Sequence, residues 1–379
     1  MSSKTASPNG LQRLGTQIAP LLIVCALVFA LPLLLNNDFL LNKIARYLVL
    51  GILTVSLALS WGYGGILNLG QAMTFGIGSY AMAMALKLKT IPVHTGSSGL
   101  PDFMVWNNVP SLPWFWVPFK SLPFALAAGI LVPALVAAAL GWFIFRSRVT
   151  GVYVSIITLA TMVVLNLVII DQQSYTGGFN GITDLAQLEI FGIAFDAYGR
   201  ATYYLVASCV LLSLLVAFAF TRTKAGLIVQ AIRDHESRVR YFGYDVAGYQ
   251  IFVFALSAAI AGLAGMLYTV VMEFASPTFL GVQLSLSVVV WCAVGGRQSL
   301  VGAFLGAVLV AGMQGALSES AAFLETWTLV MGALFVLVVL FLPKGLAGFA
   351  QGAWRWIAQR RQATHGVAES VGQTTEGSA

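Results

Sequence analysis

Ten apolar runs divide this chain: residues 19–35, 44–61, 66–86, 121–145, 149–170, 201–220, 249–272, 284–296, 300–317 and 327–342. A helix needs about 20 predominantly apolar residues to cross a bilayer, and runs of this kind leave no room for a soluble domain of useful size. Only 9% of the 379 residues are charged, against roughly 25% in an ordinary soluble domain. The expected fold is all-α, a polytopic integral membrane protein of about ten transmembrane helices. The eighth run is too short to cross alone. Either it recruits residues from ASPTFLGVQLSL or it is a broken element, which lipid tolerates only where protein or a water-lined cavity covers the backbone.

The formal charge of +6 is topological and does not point to nucleic acid. With ten crossings and both termini inside, the inside segments hold 14 of the 20 Lys and Arg residues, and the outside segments hold nine of the 14 acids. Both distributions follow the positive-inside rule and place the termini in the cytoplasm. Basic residues before the first run also begin a signal peptide, but NNDFLLNK follows it with no small-residue cleavage site, so the run reads as a retained span. The expected layout is a cytoplasmic tail (1–18), a membrane unit (19–345) with a cytoplasmic insert at 221–248, and a second tail (346–379) whose Gly/Ser/Thr-rich end is disordered.

Two outside connections are long: KLKTIPVHTGSSGLPDFMVWNNVPSLPWFWVPFK and DQQSYTGGFNGITDLAQLEIFGIAFDAYGR. Their aromatic residues suit the membrane interface, and the loops as a whole suit docking of an external partner. Within the spans, GILNLGQAMTFGIGSYAMAMA and GGRQSLVGAFLGAVLVAGMQGAL are dense in small residues, which let helix backbones approach closely in lipid.

TRTKAGLIVQAIRDHESRVRYFGYD, Thr221 to Asp245, concentrates charge in a chain that otherwise lacks it. Leu227, Ile228, Ala231 and Ile232 recur at three- and four-residue steps and predict one apolar helix face. Asp234 before Arg238 and Glu236 before Arg240 have the favoured orientation for ion pairs four residues apart. The plain reading is a solvated connector. The segment is longer than a connector needs, however, and its apolar face calls for a cover of lipid or protein.

Chemistry of other kinds finds no footing. Cys25, Cys209 and Cys292 lie in apolar runs without metal-ligand spacing, and His94, His235 and His365 are scattered, so neither a metal site nor a nucleophilic triad is expected. The phosphate-cradling pattern GxxxxGK[ST] does not occur. Acids fall at run ends (Asp171, Glu273, Glu319, Glu325), which argues against coupling to an ion gradient. What the spans do hold is neutral and polar: Asn68, Gln71, Thr74, Ser155, Thr158, Thr161, Asn166 and Gln314. Such residues serve as interhelical glue or as a translocation path for a neutral solute.

Six stretches together resemble the membrane permease of an ABC importer of the branched-chain amino acid type. They are WGYGGILNLGQAMTFGIGSYAMAMA, RSRVTGVYVSIITLA, GGFNGITDL, AIRDHESRVRYFGYDV, AVGGRQSLVGAFLGA and LFLPKGLAGF. LPDFMV, LPWFW and GGFNGITDL look most like the urea branch of that family; the chain departs from the common pattern at Gln71, where a His is usual, and at Phe179, where an Asn is. The resemblance implies a coupling helix formed by Gly226, Ala231, Ile232, Arg233, Asp234 and Glu236, seated in a nucleotide-binding subunit. It implies as partners a second homologous permease, two cytoplasmic ATPase subunits carrying ATP and magnesium, and a periplasmic substrate-binding protein, with no cofactor or enzymatic activity on this chain. The alternatives are a branched-chain amino acid or short amide permease of the same kind, a passive channel for small neutral solutes, a secondary transporter, and a membrane scaffold.

Overall fold

The computed structural model describes residues 10–91, 99–190 and 192–319, the first ten of these in backbone only, and seven positions beyond. Most of the tenth apolar run and of the 346–379 tail, with His94, His365 and Glu325, lies outside the described residues. In chain order the elements are α1 (Gly10–Leu34), α2 (Asp38–Leu57), α3 (Gln71–Thr90), α4 (Asp102–Trp106), α5 (Leu122–Arg146), α6 (Val152–Asp171) and α7 (Gln173–Thr176). A hairpin of β1 (Leu188–Ile190) and β2 (Ile193–Phe195) follows, then α8 (Arg200–Arg222), α9 (Lys224–Tyr241), α10 (Val246–Met272), α11 (Val282–Gly295) and α12 (Leu300–Glu319). Each of the first nine apolar runs contains a helix, as expected for an all-α chain. Among the described residues six helices are long and apolar enough to cross a membrane: α2 with the turn that extends it, α5, α6, α8, α10 and α12.

Two runs differ from simple spans. The third, read as 66–86, is helical only from Gln71, and residues 64–70 form a buried irregular loop. The eighth is indeed broken. α11 has 14 residues, about 21 Å at 1.5 Å per residue, and a buried 3₁₀ turn, Pro277–Leu280, precedes it. That turn is covered as lipid requires: Asn166 Nδ2 of α6 donates to Pro277 O at 2.5 Å, and Ile182 bridges Ala275.

α3, α5 and α10 pack backbone to backbone through small residues. Gly78 of α3 faces Gly262 of α10, Gly265 of α10 lies against the Phe75 carbonyl, and Gly262 in turn meets Gly129 and Pro133 of α5. Lipid tails are as apolar as the helices, so close contact and interhelical hydrogen bonds must supply the association energy. Ser79 and Thr269 provide such a bond between α3 and α10 at 2.6 Å, and Asn42 of α2 donates to Ala197 O and Val271 O at 2.8 and 3.0 Å. Gly295 and Gly306 join α11 to α12 in the same way. Cys25 and Cys292 are buried packing residues.

The two long connections share one end of the bundle and pack on each other there. Trp116 Nε1 donates to Tyr175 O at 3.0 Å, and the buried Lys87 sits between Asp102 at 2.7 Å and Asp184 at 4.0 Å. Trp106 and Trp114 remain largely exposed on this cap. α9 lies at the opposite end.

A methyl added at Gly265 would run into the Phe75 backbone, whereas one at Gly312 would meet only the Tyr47 ring at 3.8 Å. Gly265→Ala should therefore destabilise the bundle by about 1–3 kcal/mol through overpacking, and Gly312→Ala should leave it unchanged or slightly stabilised. Thermal unfolding of the two variants in detergent measures the difference.

Candidate coupling site and polar core

Residues 58–71 reverse the chain inside an apolar bundle, and the local sequence explains how. α2 widens into a π-helical turn over Ala58–Tyr63, a rare geometry frequent at functional sites. Gly64 N and Gly65 N close it on Leu59 O and Trp61 O at 3.2 and 3.0 Å. Gly65 takes φ of +72°, open to glycine at little cost, and the chain turns back. Ile66 N still donates to Ser60 O at 2.9 Å, and beyond it the loop leaves the helical pattern, where lipid would offer no partners.

Side chains from α6 and α11, with Asn68 of the loop itself, supply them. Ser155 Oγ of α6 donates to Leu67 O at 2.8 Å, Leu69 N donates to Thr158 Oγ1 at 3.2 Å, and Ser285 Oγ of α11 donates to Leu69 O. Asn68 closes the loop on itself: Gly70 N donates to its Oδ1 at 2.9 Å, and its Nδ2 donates to Gln71 Oε1 at 2.6 Å. Gln71 Nε2 donates in turn to Ser56 Oγ of α2 at 2.6 Å and Ser257 Oγ of α10 at 3.1 Å, while Ser257 Oγ donates to Ser56 O at 2.6 Å. Thr74 Oγ1 donates to Gln71 O at 2.8 Å. All of these side chains are buried.

The structure therefore brings together Asn68, Gln71, Thr74, Ser155 and Thr158 of the expected path, with their hydrogen bonds used inside the fold. Thr161 bonds Ile157 O on its own helix, at 2.8 Å, and Asn166 holds the 3₁₀ turn. Gln314 stands apart, on the wall of a cavity of about 460 Å³ between α2, α10, α11 and α12. Sequence reading passed over Ser56, Ser257 and Ser285, whose only signal is a hydroxyl inside an apolar run. It also passed over Lys43 and Arg46 of α2 and the buried Lys87, basic residues at or just inside the ends of their runs. Glu273, in left-handed conformation just past α10, has its carboxyl raised above the usual carboxylate range, first by burial and then by Asp196 nearby.

α9 is anchored to this loop. Thr223 caps it by accepting from Gly226 N at 3.1 Å. Its buried face is Gly226, Val229, Ile232 and Val239, against Val246 and Tyr249. This corrects the expected face: Leu227 and Ala231 point to the outside, Ile228 is half-buried, and Val229 takes the inner place. The ion pairs need correction too. Glu236 and Arg240 pair at 2.6 Å as expected, but Asp234 pairs with Arg233 at 2.8 Å and not with Arg238. The reason is a break at His235, whose φ and ψ of −150° and 78° interrupt the helix and end the four-residue spacing.

Arg233 faces inward. Its Nη1 donates to Gly62 O at 2.6 Å, and its aliphatic stem packs on Gly65. The same reversal is held from the other side by Arg297, 5.4 Å above the Trp61 ring, and by Tyr63 OH donating to Gln298 O at 3.1 Å. Arg233 thus links α9 to residues 62–65, and the bonds of the loop continue from there to α2, α3, α6, α10 and α11. Ala231, Asp234 and Leu227 line the outer face, beside the exposed rings of Tyr241 and Phe242.

Gln71→Leu removes the hub of the polar core while keeping much of its volume, and leaves Asn68, Ser56 and Ser257 short of a partner. Each buried polar group left unpaired costs about 1–3 kcal/mol, so the variant should unfold at clearly lower temperature in detergent. Thr161→Val, which removes a bond confined to one helix, should have a small effect by the same measurement.

The chain is 28% identical over 322 residues to the high-affinity branched-chain amino acid transport system permease protein LivM of Escherichia coli K12, covering 79% of this chain and 67% of that protein. It is 25% identical over 225 residues to a probable branched-chain amino acid transport permease protein LivM of Methanocaldococcus jannaschii, covering 58% of this chain and 63% of the relative. To LivH of Escherichia coli K12 it is 23% identical over 309 residues, 78% of this chain and 90% of the relative. No solved structure matches it. Residues 39–339 match the family described as branched-chain amino acid transport system, permease component, and the chain belongs to that family.

Proposed function

We propose that this chain is one of two membrane subunits of an ATP-driven importer in a bacterial inner membrane, that both its termini are cytoplasmic, and that its cargo is urea. Its partners are a second homologous permease, two cytoplasmic nucleotide-binding subunits that hold ATP and magnesium, and a periplasmic binding protein that delivers cargo to the cap of long connections. The observation that carries the reading is the Arg233–Gly62 bond. It ties a helix outside the apolar bundle, with an exposed apolar outer face, to the chain reversal on which five helices converge. A passive channel has no use for such a tether. A permease driven by ATPases that bind one of its conformations better than the other does.

Urea is supported by the outer cap. LPDFMV, LPWFW and GGFNGITDL, the segments that resemble the urea branch, meet there: Asp102 and Asp184 share Lys87, and Trp116 bonds the turn just before GGFNGITDL. The relatives favour a second reading, since LivM and LivH are named for branched-chain amino acids.

Uptake of labelled urea and labelled leucine, at micromolar concentration in cells with and without this chain, separates the two. Urea uptake lost with leucine uptake kept is the expected result; the reverse moves the cargo to amino acids, and no change in either overturns the importer reading. Arg233→Glu removes the donor to Gly62 O and sets two acids side by side. It should lower uptake roughly tenfold or more, a loss in keeping with a broken charge-assisted bond, while the variant still reaches the membrane and the complex still hydrolyses ATP. Wild-type uptake by a variant confirmed at normal abundance would defeat the coupling role.

A further inference from the structure

Arg46 lies eight residues into α2, about 12 Å along the helix. A charge deep in a span costs about 2.5–3.5 kcal/mol on insertion scales, and one that is retained marks function by default. Its neighbour Lys43 is satisfied by Glu319 at 2.5 Å. Arg46 is not. Its Nη1 reaches the Met272 sulfur at 3.7 Å, and its buried Nε meets no acceptor among the described residues. The guanidinium lines the 460 Å³ cavity, whose wall also carries Tyr47, Tyr268, Gln283, Gln314 and Glu319. A planar fork of donors suits a planar oxygen acceptor, and two carboxamides and a carboxylate facing the same space supply acceptors for N–H groups. Among the described residues two cations against one carboxylate also leave this wall net positive, which disfavours cationic solutes.

We propose that this cavity is a cargo site, in which Arg46 donates to an sp² oxygen of the cargo while Gln283, Gln314 and Glu319 accept its N–H groups. The proposal rests on the importer reading above. Urea presents a carbonyl oxygen flanked by two amino groups, and an amino acid presents a carboxylate beside an ammonium. Both carry the required chemistry, and transport distinguishes them. The site lies in the half of the bundle nearer the outer cap, where delivered cargo would arrive.

The test uses the complete complex in proteoliposomes supplied with binding protein, ATP and labelled urea or leucine. Arg46→Met, at wild-type abundance, should slow transport of the true cargo by roughly tenfold or more, the loss of one bond to a charged group. Arg46→Lys should keep a substantial share of the rate, and Gln314→Leu should slow it by a smaller factor. Ser287→Cys, on the same wall, should be labelled by a thiol reagent more slowly when the cargo is present at millimolar concentration, a protection that a purely structural role for Arg46 would not produce. Should Arg46→Met fail to reach the membrane, Gln314→Leu and the labelling decide. Wild-type rates in Arg46→Met and Gln314→Leu, or labelling unaffected by cargo, would overturn the site and leave the importer reading standing. A wild-type complex that moves neither solute would overturn both.

Discussion

The rest of the structure depends on the irregular loop at 64–70, which carries backbone groups outside any regular helix into an apolar bundle. A polypeptide in lipid must satisfy every N–H and C=O internally, and here the task falls to Ser155, Thr158, Ser285 and Asn68. Ser155 and Thr158 tie the loop to α6, Ser285 ties it to α11, and Asn68 closes it on itself. Gln71 then fastens the loop to α2 and α10 through two serines. The polar core has therefore little freedom to lose one member without the others. It explains why so many neutral polar residues occur in runs that could have been wholly apolar.

Small residues make that convergence possible. Gly78, Gly262 and Gly265 let α3 and α10 touch along their backbones, and Gly129 brings α5 against the same seam. With helices this close, a hydroxyl reaches a carbonyl on the next helix, as Ser79 and Thr269 show. Close packing and polar bonding are in this sense one device. α5 and α6 take part along one face and turn the larger part of their surface outward, where bulky apolar side chains such as Phe143 and Val164 meet lipid.

The fold class, the helices and the broken eighth run were legible because apolar run length registers one requirement of the bilayer directly. The loop at 64–70 was not, because ILNLG is apolar enough to pass for helix and its support comes from serines 88 or more residues distant in sequence, as Ser155 is from Leu67. In α9, spacing gave the helix and the Glu236–Arg240 pair, but the break at His235 depends on tertiary anchoring and redirected Asp234. The apolar face was misjudged by one position for a related reason. Leu227 is the more hydrophobic residue, yet Val229 shares the arc of Gly226 and Ile232, and the arc that meets the bundle is set by where Arg233 must reach. Among the candidate site residues, the polar ones were found as residue types, and their bonds to one another were not visible.

Arg46 tests the limit of such reading from another direction. It lies near the start of its run and passes easily for a boundary residue that snorkels to the interface. The structure distinguishes the two basic side chains of that turn, since Lys43 has found Glu319 at the end of α12 and Arg46 meets only a thioether among the described residues. Were both merely markers of topology, the cheaper arrangement would direct both outward. A guanidinium held inward, beside tyrosines and carboxamides at the junction of four helices, stands where a relative movement of α2 against α10 and α12 would change the shape of its cavity. The Gln71–Ser56 and Gln71–Ser257 bonds join α2 and α10 to the same loop that Arg233 grips at the other end. A displacement of α9 and the geometry around Arg46 are therefore connected through α2 itself, by a continuous path of backbone and hydrogen bonds.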